Sequence, residues 1–285
     1  MTIRDSSFHA LIQLLKQKSG LVITADKMYL VESRLRPVAE MLGFSDIGSF
    51  IDHLALAPSE RAVQLTVEAM ATHETSFFRD GAPFDRLRDD LLPNLLRARP
   101  ATSPLRFLCA ACSSGQEPLS LAMLLDEQGI LAGTRPVSIV AFDISEQILE
   151  RARTGVYSDF QVNRGLSPER IARHFTKAGD TYRAQAKLMS RIDYRKVNIL
   201  TGLPALGMFD IIFCRNVLIY FDDATKAQIL TSLARLLPPD GVLILGSSET
   251  ALKESALFVP ERVGRGIFVK PPSATPIIRP LQARA

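Results

Sequence analysis

The chain has 285 residues and no tryptophan, and aromatic residues make up only 7% of it. Stacking single-stranded bases requires such side chains, so their scarcity weighs against that class of function. Cysteine is scarce too. Cys109, Cys112 and Cys214 are too few, and odd in number, for a disulfide framework. That usage fits a reducing compartment, the cytoplasm. Cys109 and Cys112 form a single Cys-x-x-Cys with no second pair to complete a metal site. On a strand their side chains point to opposite faces, and packing is the expected role, with no metal. No apolar run approaches the ~20 residues of a membrane helix. The first residues lack the basic, apolar and small-residue order of a signal peptide. No direct membrane insertion is expected.

What is present is an ordinary globular balance, 47% hydrophobic and 22% charged, with a net charge of +4. That charge suits nucleic acid or an acidic protein partner and does not choose between them. Residues 1–71 read as a small helical domain. Phe8, Leu11, Ile12, Leu14 and Leu15 recur at helical spacing after a Ser6-Ser7 cap, and Gly20 closes the run. Three further helical patterns follow, and no strand pattern interrupts them. Residues 72–104 form a linker and a helix. From residue 105 strands alternate with helices to about residue 270, which predicts a parallel, doubly wound sheet closed by an antiparallel hairpin across Gly264. Residues 154–196 interrupt that alternation and read as an insertion with a turn at Ala178-Gly179-Asp180. Residues 271–285 are aperiodic and are expected to form a mobile tail.

Four patches could carry chemistry. The first, Ala110 to Pro118, follows the first sheet strand and opens a helix. It holds only Gly115 where a dinucleotide site would need Gly-x-Gly-x-x-Gly, which speaks against a pyrophosphate. Glu117 in the first turn would repel phosphate and attract an ammonium, and it equally suits the helix dipole. The second is Asp143, ending a strand where a carboxylate can accept both ribose hydroxyls or cap the next helix. Glu117 and Asp143 together describe a ligand with a ribose and an ammonium but no phosphate, the make-up of S-adenosylmethionine. The third, Thr72 to Arg79, is either a plain linker or a strap over the cofactor. The fourth is residues 209–221, where Arg215 and Asn216 break an apolar run. Burying an unpaired guanidinium is costly, so Arg215 is expected at the strand's end, facing a cleft or a partner.

In this order the patches resemble the chemotaxis receptor methyltransferases of the CheR family. The resemblance stands on Thr75-Ser76-Phe77-Phe78-Arg79, Gly115-Gln116-Glu117-Pro118, Asp143, Asn198-Ile199-Leu200 and, most specifically, Cys214-Arg215-Asn216-Val217-Leu218-Ile219-Tyr220-Phe221. It implies an α/β fold. A Rossmann-like class I methyltransferase sheet, mostly parallel with a terminal antiparallel hairpin, would follow an all-helical domain and carry a small β insertion. It implies transfer of a methyl group from S-adenosylmethionine to glutamate side chains on the cytoplasmic helical domain of chemoreceptors, leaving S-adenosylhomocysteine. His73, Thr75, Arg79, Glu117, Asp143, Asn198, Ile199, Arg215 and Asn216 would bind the cofactor. Arg79 and Tyr220 would be catalytic. Lys27, Arg34 and Arg36, with Lys27 and Arg34 seven apart on one helix face, would meet the acidic receptor helices.

The chain departs from the family pattern in three places. His73 stands for the usual Asn, and Gln116 and Leu119 stand for Glu and Tyr. The insertion looks shorter and less Gly-rich than in members that tether to a receptor's C-terminal pentapeptide, so no such tether is expected. A same-fold enzyme acting on nucleic acid or a small molecule is the alternative, though the chain lacks an Asn/Asp-Pro-Pro-Tyr/Phe base-methylation motif. A further alternative is a non-catalytic cofactor-binding regulator.

Overall fold

The structure, a computed structural model, describes residues 3–201, 203, 206–251, 256–260 and 266–269. The expected tail at residues 271–285 and the hairpin turn at Gly264 lie outside the described residues.

Four helices open the chain: α1 (Asp5–Ser19), α2 (Met28–Met41), α3 (Ile47–Leu56) and α4 (Glu60–Met70). Their apolar stripes meet in one core around Phe8, Leu11, Leu35, Phe50 and Ile51, all fully buried. Gly20 ends α1 in the left-handed conformation, as its position predicts (φ 76°). Asp46 and Ser59 cap α3 and α4 through their side chains. The cap expected at Ser6-Ser7 is not formed. The helix already begins at Asp5, and the Ser7 hydroxyl donates to Asp52 on α3 instead.

A linker leads to α5 (Ala82–Arg86), a π-helical turn (Leu87–Leu91) and α6 (Leu92–Ala98). Then come β1 (Leu105–Ala110), α7 (Gln116–Glu127), β2 (Val137–Asp143), α8 (Glu146–Thr154), β3 (Val156–Ser158), α9 (Asp159–Asn163), α10 (Pro168–His174), β4 (Phe175–Ala178), β5 (Thr181–Ala184), α11 (Ala186–Met189) and β6 (Ile192–Lys196). The chain continues through β7 (Ile211–Cys214), a 3-10 turn (Leu218–Tyr220), α12 (Asp223–Ala234), β8 (Val242–Leu245), β9 (Val259–Pro260) and β10 (Ile267–Val269).

Seven strands form the main sheet in the order β6-β2-β1-β7-β8-β10-β9. The first five run parallel, and β10 runs antiparallel to β8 and β9. Chain order reverses between β1 and β7, so the carboxyl ends of β1, β2 and β7 open onto one crevice. Alternate side chains of β1 enter opposite cores, Phe107 and Cys109 on one face, Leu108 and Ala110 on the other.

Two expectations need correction. Ile192–Lys196 pairs in parallel with β2 and belongs to the main sheet, so the insertion does not extend to residue 196. Its own sheet, β3-β5-β4, is antiparallel and turns at Gly179. Cys112 lies beyond the end of β1, in the following loop, and shares a core with Cys109 instead of facing away from it. Burial pushes both thiols well above their ordinary range, so neither is a ready nucleophile.

Candidate functional site

The loop after β1 folds sharply, with Ala111 (φ 54°), Ser113 (φ 51°) and Gly115 (φ 90°) in the left-handed region. Only Gly115 adopts this region without a Cβ penalty; Ser113 is held there by its N–H to Asp143 and its hydroxyl to the His73 carbonyl. A Cβ at Gly115 would lie 2.7 Å from the Tyr194 hydroxyl. The turn delivers Glu117 to the first turn of α7. It also brings the Ser113 N–H to the Asp143 carboxylate at the end of β2, 2.9 Å away. The Ser145 N–H donates to the other Asp143 oxygen at 3.1 Å, while the Ser145 hydroxyl caps α8. Asp143 is therefore not the helix cap.

Arg215 directly follows β7, and its side chain is 1% exposed. The anion it requires is internal. Its guanidinium donates to Glu117 at 3.0 Å, to Asp80 at 2.8 Å and to the Arg79 carbonyl at 2.6 Å. Its charged end also stacks near the Phe84 ring. Burial pushes the Glu117 carboxyl above its ordinary value, against the downward pull of Arg215. Burial likewise raises Asp143, opposed by the Ser145 and Ser113 N–H groups and by nearby His73.

The linker is strapped over this floor. The Phe78 N–H donates to the Ser120 hydroxyl at 2.9 Å, and Phe77 packs edge-on against Tyr157 and Phe175 of the insertion. Gly165 lets the insertion press close, since a Cβ there would lie 2.0 Å from the Phe77 carbonyl oxygen. Among the described residues, five non-glycine residues have positive φ: Phe78, Asp80, Ala111, Ser113 and Asn216. All five belong to the strap or to the loops at strand ends. Conformations of this kind cost about 1–3 kcal/mol each and persist where surrounding contacts over-determine them.

His73, Thr75, Arg79, Glu117, Asp143, Asn198, Ile199, Arg215, Asn216 and Tyr220 all line one cleft, enclosing about 970 Å³ of atom-free space with its open mouth included. The helical bundle supplies further walls through Ser19, Leu21, Val67 and Ala71, which sequence patterns did not single out. The bundle is held there by Lys16 to Asp222 at 2.7 Å and by the Ser145 hydroxyl donating to Glu68 at 3.0 Å. Asn198 contributes to the same junction. Its amide donates to the Lys18 carbonyl at 2.6 Å and accepts from the Leu200 N–H at 3.0 Å. Arg79 donates to the Glu74 carbonyl at 2.9 Å. The carbonyl of Tyr220 accepts from the Val22 N–H at 3.1 Å.

Two acids escaped the reading of the sequence. Asp80 is the second partner of Arg215, and its only signal was its place beside Arg79. Glu249 lies just beyond β8, buried, with its carboxylate surrounded by backbone N–H groups. An acid following Gly246 at a strand end was the available clue.

The basic residues of the helical domain divide. Lys27 closes a 3-10 turn (Ala25–Lys27) that precedes α2, so it does not share a regular helix with Arg34. Lys27 and Arg36 are exposed. Arg34 is partly buried, and its guanidinium donates to the carbonyls of Met70 at 2.6 Å and Ala71 at 3.2 Å and to the Thr72 hydroxyl at 3.2 Å. It satisfies carbonyls at the end of α4 that the helix itself leaves open.

Residues 73–264 match the family profile described as "CheR methyltransferase, SAM binding domain", and residues 6–70 match "CheR methyltransferase, all-alpha domain". A chemotaxis protein methyltransferase 1 of Vibrio cholerae is 37% identical over 273 residues, covering 95% of this chain and 98% of that protein. A chemotaxis protein methyltransferase 1 of Pseudomonas aeruginosa is 38% identical, covering 87% and 92%. The chemotaxis protein methyltransferase of Escherichia coli is 33% identical, covering 87% and 86%.

Proposed function

The chain belongs to the CheR methyltransferase family, and from that premise we propose that it transfers a methyl group from S-adenosylmethionine to glutamate side chains of chemoreceptors, giving glutamyl methyl esters. The observation that carries this reading is the convergence of Glu117 and Asp143 on one cleft without a phosphate-admitting Gly-rich turn.

The residues fit the cofactor. Burial raises both acids, and a cation against one and hydroxyl donors against the other would favour their ionised forms and offset that cost. Glu117 would take the amino group and Asp143 the ribose hydroxyls. His73, Thr75, Asn198, Ile199, Arg215 and Asn216 would complete the walls, Arg215 by holding Glu117 and Asn198 by fastening the bundle. When bound, S-adenosylmethionine supplies the electrophilic methyl group. The accepting glutamate, with a pKa near ~4.3, is already ionised at neutral pH, so neither a general base nor a metal is needed to make the nucleophile. What remains for the protein is positioning. Arg79 and Tyr220, on the cleft wall, would orient the accepting carboxylate without neutralising it. S-adenosylhomocysteine would be the product.

The partner would be the cytoplasmic helical domain of the receptors, met in the cytoplasm. Among the described residues no helix is long and apolar enough to cross a membrane. The helical domain, residues 1–71, would help recognise the receptor, and residues 105–270 would carry out the transfer. Lys27 and Arg36 are the exposed basic candidates there. Reversing both to Glu is expected to lower receptor methylation about twofold to thirtyfold, since each exposed pair is worth ~0.2–1 kcal/mol. Cofactor affinity, read by calorimetry, should not change; unchanged methylation would exclude these residues from the interface. Arg34 is a poorer probe, because its reversal would also release the end of α4.

The decisive experiment supplies labelled S-adenosylmethionine and receptor cytoplasmic fragments and looks for base-labile methyl ester. Fragments with and without their C-terminal five residues are expected to be labelled alike, as no pentapeptide tether is proposed. Label on nucleic acid or a small molecule, or cofactor binding with no transfer, would overturn the reading.

A further inference from the structure

We propose that Glu249 is a positioning residue for methyl transfer: its carboxylate holds residues 216–219 in the one conformation that sets Tyr220 on the wall of the cleft. The inference rests on the reading of Tyr220 given above and goes beyond it, since Glu249 does not line the cleft itself.

The geometry is unusual for a single side chain. One Glu249 oxygen, Oε1, accepts from the N–H groups of Val217 at 2.9 Å, Leu218 at 2.7 Å and Ile219 at 3.3 Å. The other, Oε2, accepts from Asn216 at 2.7 Å and from Gly246 at 2.7 Å. Four successive N–H groups converge on one carboxylate. Such a run forms a concavity that binds anions, and here the protein fills it with its own acid. An ordinary turn of 3-10 helix would need one capping oxygen for its first N–H groups. Binding all four also fixes Asn216, which has φ 57° and lacks glycine's freedom to adopt that conformation.

The clamp spans two strands. Asn216 follows β7 and Gly246 follows β8, so Glu249 ties the carboxyl ends of neighbouring strands together. Gly246 has to be glycine for this, because a Cβ there would lie 2.8 Å from Glu249 Oε2 and 2.9 Å from Asn216 Nδ2. The carboxylate is buried with its residue only 5% exposed. Arg215 does not pair with it; its guanidinium donates instead to Glu117, Asp80 and the Arg79 carbonyl. The negative charge is therefore met by backbone dipoles. The next residue along the chain is Tyr220, whose carbonyl is taken from the other side by Val22 of the helical domain. The turn is thus pinned by the sheet at its start and by the bundle at its end.

A Glu249→Gln side chain keeps the shape but turns one acceptor into an NH2 group facing N–H donors. We expect kcat for receptor methylation to fall about 30- to 100-fold, the scale on which a ~1 Å misplacement of an orienting group acts. Deuterium exchange of the amides of residues 216–219 should rise at least tenfold, with the strand amides of β1 unaffected. In a double-mutant cycle with Tyr220→Phe, the combined loss in kcat should fall well short of the product of the two single losses, because both act through one group. Glu249→Asp, which keeps the charge but is one methylene shorter, carries the same test should Glu249→Gln fail to fold. Unchanged exchange at residues 216–219, unchanged kcat, or fully multiplicative losses would each overturn the proposal. If the wild-type protein transferred no methyl group to glutamate, the proposed function would fall, and the exchange measurement would still decide for or against Glu249 as the clamp.

Discussion

Glu117→Gln is expected to weaken S-adenosylmethionine binding by about 10- to 150-fold at neutral pH, measured by calorimetry. A hydrogen bond between charged groups contributes ~1.5–3 kcal/mol, and the amide keeps the shape of the carboxylate while losing its charge. The same site predicts a pH dependence. Burial raises the Glu117 carboxyl, and a bound cation favours its ionised form. Binding should therefore release a proton wherever Glu117 is partly protonated, and affinity should fall as pH descends through that raised pKa, above the ordinary carboxylate range. The Gln variant should lack this component. Folding stability runs in the opposite sense. A group whose folded pKa lies above its unfolded value binds its proton more tightly when folded, so ionised Glu117 and Asp143 subtract stability as pH rises and return it as pH falls. Equal affinity of the wild type and the Gln variant would remove Glu117 from the cofactor site.

Arg215→Ala is expected to be the most destabilising single change at the cleft. Removing one partner of a buried ion pair typically costs ~3–5 kcal/mol, because the remaining charge stays buried and uncompensated. Here Glu117 would lose its counter-charge, Asp80 would lose a 2.8 Å contact, and the Arg79 carbonyl would lose its donor. The last two contacts hold the strap where Asp80 sits at φ 67°. Denaturant titration should read the loss directly, and the melting temperature should drop by roughly 6–15 °C for a chain of this size. Pairing Arg215→Met with Glu117→Gln is expected to restore much of that stability, since apolar replacements of buried ion pairs are often neutral. It should not restore cofactor binding. A loss below about 1 kcal/mol in Arg215→Ala would mean that water reaches both carboxylates and that the triad is not structural.

The two variants separate roles that the chain read alone had merged. Residues 214–221 pointed to Arg215 as a wall of the cofactor pocket in need of an anion. The anions are Glu117 and Asp80, and the guanidinium holds Glu117, an acid that lines the cleft. Asn198 underwent a similar change. It lines the cleft, but its amide hydrogen bonds go to Lys18 and Leu200, so it fastens the helical bundle over the site. Arg34, read as one of three basic residues on the helical domain, holds the end of α4.

Much of the molecule is written in short-range terms. The helical spacing of Phe8, Leu11 and Leu15, the left-handed stop at Gly20 and the alternation of strands and helices after residue 105 each depend on neighbours a few positions away. Asp143 and Arg215 could be placed at the cleft for the same reason, since polar residues ending apolar strands have nowhere else to go in an open parallel sheet, and Glu117 by opening the helix that follows the first sheet strand. Partner choice is a different kind of fact. Asn198 meets a carbonyl 180 positions away, Arg215 meets an acid 135 positions away, and Glu249 meets four amides across the gap between two strand ends. Ile192–Lys196 joined the main sheet because β2 presented an edge to it. Local periodicity settled which segments are helices and strands and which strand ends carry polar groups. Strand order settled which of those ends meet, and hydrogen bonds reach only about 3 Å, so the pairing of each charge was decided by the tertiary fold.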